Sequence, residues 1–225
     1  MMIRKEVSEQ EIHQRINNIK KRLRLSMNGV VSAHQRKQGL NYKINFGVEV
    51  PRLKSIAEDF EKNRQLAQAL WQENIRECKL LATFLMPADE FSPYIAEQWI
   101  TQTQFTEIAD HLVMNLLIHE EDAIDKALQR IEDGSEYAPY CGYLALSHLM
   151  RRGRMPNEEQ ENRYIRNIVE LLGKQTESKT LRSCAYTSLM TFISDNEDSK
   201  TEKLRNAAES AKAEAESIIY QLLNN

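Results

Sequence analysis

Residues 45–86 place the tightest constraint on how this chain can fold. They read NFGVEVPRLKSIAEDF, then EKNRQ, then LAQALWQENIRECKLLATFLM. Pro51 stands where a first helical residue should be, because proline there loses only an amide that has no partner in the helix. Leu53, Ile56, Ala57 and Phe60 then recur at helical spacing. After a short polar break, a second helix carries Leu66, Ala69 and Leu70, with Trp71 adjoining. A third, after Glu73-Asn74, carries Ile75, Cys78, Leu81, Ala82 and Leu85. Three short amphipathic helices with short polar joints predict a stacked helical array rather than a lone bundle.

The rest of the chain follows the same pattern. Residues 7–25 form an amphipathic stripe of Val7, Ile12, Ile16, Ile19 and Leu23, with Ser8 as N-cap and Glu11 as its capping-box partner. Asn28-Gly29 ends that helix, and a second covers 30–38. After Met86, Pro87 stops the third helix of the opening stretch and Asp89 begins a fresh cap. Further helices are predicted at about 91–101, 103–118, 121–131, 139–151, 158–172 and 181–193, with Gly173 as a stop and Ser178 as a cap. A long Ala-rich helix at 200–223 closes the chain. Helix pairs recur at about 35–40 residues, within the range of helical repeats. The helices at 75–86, 104–118, 139–151 and 181–193 are the more apolar and are expected to form the inner layer of a curved stack. With only 7 Gly and 5 Pro in 225 residues, an all-β fold rich in turns is disfavoured. The expected organisation is one all-helical domain, 1–225, with basic N-terminal helices (1–40), a repeat core (41–195) and the closing helix.

The formal net charge of −3 hides an asymmetry: residues 1–54 carry twelve Lys/Arg against four acids, leaving an acidic remainder. A basic end suits a polyanion; it also suits a helix that is merely solvated. Met1-Met2-Ile3-Arg4-Lys5 leads straight to Glu6 without an apolar run, so no secretory signal is expected. No stretch reaches the ~18 apolar residues of a membrane helix. Cys78, Cys141 and Cys184 are an odd, widely spaced set without a CxxC pair. A cytoplasmic protein, with no membrane partner and no zinc site, is the expectation.

Several chemistries lack their motifs. There is no G-x-S-x-G, no Gly-rich phosphate loop and no dinucleotide fingerprint. His119-Glu120-Glu121-Asp122 is half of a zinc-protease motif, but Ala123 follows and the second histidine is missing; a solvated helix junction is expected there. Asp110-His111 are sequence neighbours on a helix and so do not face each other.

FGVEVPRLKSIA followed by LAQALWQENIRECKLLATFL resembles the DNA alkylation repair family, over about residues 41–195. The resemblance implies an all-α fold, a right-handed α–α superhelix of HEAT-like repeats. It also implies a glycosylase that hydrolyses the N-glycosidic bond of N3- or N7-alkylated purines, using neither metal nor cofactor. A carboxylate would stabilise the oxocarbenium-like sugar, helped by two tryptophans and an arginine, without flipping the base into a pocket as most glycosylases do. Position by position, QFTEIADHL offers Phe105 and Asp110, and Asp110 is the expected catalytic carboxylate. Thr106 stands beside Phe105 where active members have a tryptophan pair. The arginine position falls on Cys141 in APYCGYLAL, and the second tryptophan position on Tyr186-Thr187 in RSCAYTSLM. Trp71 and Trp99 lie elsewhere and read as core.

The expected partner is duplex DNA. Expected contacts are Phe105, Tyr137, Tyr140, Lys179 and Arg182, with Lys174 beside them, and Lys20, Lys21 and Arg24 of the first helix. Arg151, Arg152 and Arg154 close the 139–151 helix, where cations also suit its dipole. Tyr140 in the core and Arg151 as a helix cap are the plainer alternatives. The second functional reading is a non-catalytic HEAT-like scaffold for a protein or nucleic-acid partner.

Overall fold

The computed structural model describes residues 8–173, 178–194 and 197–210. Twelve α-helices and two single 3₁₀ turns make up their regular structure, and the one β pairing among them is an isolated parallel bridge between Ile44 and Ile75. The fold is all-α. No helix among the described residues is long and apolar enough to cross a membrane. By backbone proximity the chain falls into two compact units, Met1–Ala96 and Glu97–Asn225.

The first unit holds α1 (Glu9–Leu25), α2 (Gly29–Lys37), α3 (Val50–Glu58), α4 (Arg64–Gln72) and α5 (Arg76–Leu85); the boundary falls within α6 (Pro93–Thr101). Helix α1 packs on α4, while α3 and α4 both pack on α5. Of the predicted stripe, Ile12, Ile16, Ile19 and Leu23 are buried, and Val7 lies outside the described residues. So are Leu53 and Ile56, then Leu66, Leu70 and Trp71, then Cys78, Leu81, Ala82 and Leu85. Ser8 caps α1 by accepting from the Glu11 amide, whereas the Glu11 carboxylate turns to Arg15. Asn28, expected to end α1, instead caps α2 through the amides of Val30 and Val31.

The FGV-x-VP segment is tied down by α5. Glu77, fully buried, accepts from the amides of Phe46 (3.1 Å) and Val48 (3.2 Å) and from Arg76 Nη1 (3.2 Å). Arg76 in turn donates to the Val48 carbonyl (2.9 Å). A buried carboxylate is tolerated only when so fully paired. Gly47, at φ 70°, lies so close to α2 that a Cβ there would sit 2.1 Å from the Asn28 carbonyl oxygen. Only glycine meets both the left-handed backbone and the close approach.

Further boundaries differ from expectation. Asp89 begins no α-helical cap: it lies in a 3₁₀ turn, and Ser92 caps α6 by accepting from the Ile95 amide. The 103–118 segment is cut into α7 (Thr106–Asn115) and a 3₁₀ turn, Leu117–His119, because Leu116 leaves helical geometry at φ −133°. Glu120 is not solvated: buried, it accepts from both terminal nitrogens of Arg130 (2.6 and 3.0 Å). Asp122 then takes φ 52°, the one left-handed non-glycine among the described residues, and turns the chain into α8 (Ala123–Ile131). Of the expected 200–223 helix, α12 covers Glu197–Ser210 and the rest lies outside the described residues.

The second unit continues with α9 (Ala138–Met150), α10 (Glu158–Gly173) and α11 (Lys179–Ile193). Gly173 is the last helical residue rather than a stop beyond it. Asn157 and Gln160 form a reciprocal capping box before α10. Ser178 caps α11 as expected. Helices α7, α9 and α11 make one row, and α8, α10 and α12 a second. Three of the four apolar helices, α7, α9 and α11, therefore share a layer, as their composition predicts; the fourth, α5, belongs to the first unit, where it packs on α3 and α4. Gly142 lets α9 approach α8: a Cβ there would lie 2.5 Å from the Ala127 carbonyl oxygen.

Candidate nucleic-acid interface

A groove of about 460 Å³ runs between α9 and α11. From α9 it is lined by Tyr140, Leu144 and Ser147, with Arg151 just past the helix end; from α11 by Lys179, Thr180, Ser183, Cys184 and Thr187. The α9 set is spaced four, three and four residues apart, which is one face of a helix. Cys184 lies beside the Tyr140 carbonyl (3.7 Å) and Thr191 beside Ser147 (3.2 Å). Both helices advance seven residues between these contacts, so they run parallel. Lys179 on the first turn of α11 and Arg151 after the last turn of α9 therefore stand at opposite ends of the groove. Both are exposed.

At the Tyr140 end lies the expected catalytic residue. The Tyr140 hydroxyl donates to Asp110 Oδ1 at 2.7 Å, joining α9 to α7. Asp110 is half-buried and does not itself line the groove; Tyr140 does. Burial raises the Asp110 carboxyl above the ordinary range, and the Tyr140 hydrogen bond opposes part of that rise. Tyr140 is itself driven far above the usual phenol value, first by burial and then by its bond to the carboxylate. His148, the residue after Ser147 on α9, is held below the usual imidazole value by burial and then by Arg151 and Arg152. The thiols are not reactive groups here, since burial pushes both Cys141 and Cys184 up to about 12.

The structure thus brings Asp110, Tyr140 and Lys179 to one region. Tyr137 is nearby in sequence, but its hydroxyl donates to the Gln104 carbonyl (2.8 Å). Phe105 is half-buried at the N-cap of α7. Arg182 points a nitrogen at the Leu172 carbonyl (3.4 Å) rather than into the groove. Lys174 lies outside the described residues. In the first unit, Lys20 is engaged with Glu73 (2.5 Å), while Lys21 and Arg24 are exposed. Trp71 and Trp99 are core, as expected, and Cys141 at the arginine position is fully buried. Arg154 donates to the Ile118 carbonyl (3.1 Å), closing the 3₁₀ turn. Sequence reasoning missed Ser147, Thr180 and Ser183. Their signal was present as helical spacing from Tyr140 and Lys179, but serine and threonine carry no mark that separates groove from solvent.

The sequence model of the family described as DNA alkylation repair enzyme matches residues 19–180. That match begins within α1, earlier than the 41–195 resemblance, and ends within the first turn of α11. No curated protein matches the sequence. One similar solved structure represents a new family of proteins related to the HEAT-like repeat DNA glycosylases with affinity for branched DNA structures. It shares 17% identity, covers 92% of this chain and 93% of its own, and superposes with a TM-score of 0.69. The shared architecture is that of HEAT-like repeats. With most of its length matched by the family's sequence pattern, this chain belongs to the DNA alkylation repair enzyme family.

Proposed function

We propose that the chain binds DNA along the α9–α11 groove. One observation carries this reading: the groove has an exposed cation at each end, hydroxyls between them, and no carboxylate among its lining residues. Cations and hydroxyls are the groups that position a phosphodiester backbone. Family membership and the neighbour's affinity for branched DNA support a nucleic-acid ligand, and make branched DNA as well as duplex the substrates to compare.

The test is binding of labelled DNA over a salt series by the wild type and by Arg151→Gln/Lys179→Gln. Two lost phosphate contacts should flatten the slope of log K against log salt by about 2. Unchanged affinity and slope would rule the groove out, and a wild type that binds no DNA would favour the protein-scaffold reading.

A second reading adds chemistry beside the groove, supported by the Asp110–Tyr140 pair. In it, the C1′–N bond of an N3- or N7-alkylated purine breaks and its electron pair leaves with the base, neutralising the lesion. Ionised Asp110 stabilises the cationic sugar until water adds at C1′ and loses a proton. Release of 7-methylguanine or 3-methyladenine by the wild type but not by Asp110→Asn, at equal DNA binding, is the expected result. No release from the wild type would leave binding alone as the function.

A further inference from the structure

The corner between α1 and α2 carries three bare apolar side chains. Leu25 is 79% exposed, Met27 66% and Val30 81%. They fall within six residues, while the apolar stripe of α1 is buried against the unit. The corner is held firmly. Asn28 caps α2 with its side chain, and its amide donates to the Phe46 carbonyl (2.8 Å). Ser26 accepts from Arg52 Nε (3.2 Å). Gly47 is wedged beneath, against Asn28 and Ser32.

The charge along this stretch of chain is one-sided, although Arg15, Lys20 and Arg22 are paired with Glu11, Glu73 and Asp59 from outside it. Residues 12–48 contain eight Lys/Arg and no Asp or Glu at all. Lys21 and Arg24 are exposed on the approach along α1, and Arg36, Lys37 and Lys43 are exposed beyond the corner. A rigid apolar tip in a field of cations matches a ligand with an anionic backbone and apolar faces that open between its charged edges.

We propose that the α1–α2 corner is a wedge that inserts Leu25, Met27 and Val30 into an unstacked step of DNA, at a nick or junction, while the flanking cations grip the phosphates. This rests on the DNA-binding reading above but concerns different residues. Apolar side chains of this kind separate base steps in DNA-bending proteins, where the cost of unstacking is least if a step is already open. An anionic membrane fits less well, because interfacial binding needs the apolar face of an amphipathic helix, and that of α1 is buried in the protein.

The experiment uses the full chain and three DNAs of equal length: intact duplex, nicked duplex and three-way junction, each with 2-aminopurine at the centre. The wild type should prefer the two opened DNAs by at least about fivefold and raise 2-aminopurine fluorescence as the base unstacks. Leu25→Ser/Met27→Ser/Val30→Ser should lose both the preference and the fluorescence rise, yet keep the intact-duplex affinity and the melting temperature, since all three side chains are exposed. Lys21→Gln/Arg24→Gln should weaken binding to all three DNAs alike. A triple variant that keeps the preference overturns the wedge, as does a wild type that binds without preference. Loss of binding to phosphatidylserine vesicles in the triple variant, in place of any DNA effect, overturns it in favour of a membrane; a change in oligomeric state overturns it in favour of a second copy. If the wild type binds no DNA, the wider reading fails too; if Arg151→Gln/Lys179→Gln alone loses binding, only the groove is upheld.

Discussion

Asp110 and Tyr140 show what thirty residues of separation conceal. Each is unremarkable on its own helix, and together they form a 2.7 Å hydrogen bond at the head of a groove. Because burial raises the Asp110 pKa, the folded state holds that proton more tightly than the unfolded chain does. The carboxyl therefore favours folding at low pH, and its contribution is lost as pH rises from the ordinary aspartate range through the raised folded value. Asp110→Asn, whose side-chain oxygen can still accept from Tyr140, should melt higher than the wild type at pH 7, with the gap closing at acid pH. A melting temperature that falls at pH 7 would contradict this. Tyr140→Phe removes the contact that favours the ionised form, so the Asp110 carboxyl, followed by NMR, should titrate at a still higher pH.

Elements here are positioned by a few buried polar groups. Arg130 is 3% exposed and bonds Glu120 on one side and Glu97 on the other, linking α8, the turn before it and α6. Arg130→Gln would strand the buried Glu120 carboxylate, and a loss of about 3–5 kcal/mol in denaturant unfolding is expected. Glu97 alone should matter far less, since its side chain is 55% exposed. Gly142→Ala forces α9 away from α8 and should cost about 1–3 kcal/mol. Full stability in that variant would mean that the two helices can separate without repacking.

At the scale of the molecule, a net charge of −3 says little about binding, because the charges are segregated along the chain. With an acid-free run of 37 residues at 12–48, affinity for DNA should fall steeply with salt despite the acidic total. Raising salt from 50 to 200 mM should weaken binding by about tenfold or more if at least two phosphates are contacted. A salt-insensitive interaction would instead point to the apolar contacts alone.

Period and punctuation in the sequence determined the helices, the apolar row α7–α9–α11, the caps at Ser8 and Ser178 and the burial of both tryptophans. These depend on local propensity and on which face is apolar, and both are written in neighbouring residues. The family was also legible, because FGV-x-VP and the α5 helix are packing signatures: Glu77 and Arg76 bind that segment directly. Only the tertiary structure decided which polar residues are engaged and which are open. Glu120 reads as solvated yet is buried, Arg182 places one nitrogen against the Leu172 carbonyl, and Ser147 and Ser183, which carry no mark in the sequence, line the groove. Polar side chains owe their roles to partners that are remote in sequence, and only folding brings those partners within reach.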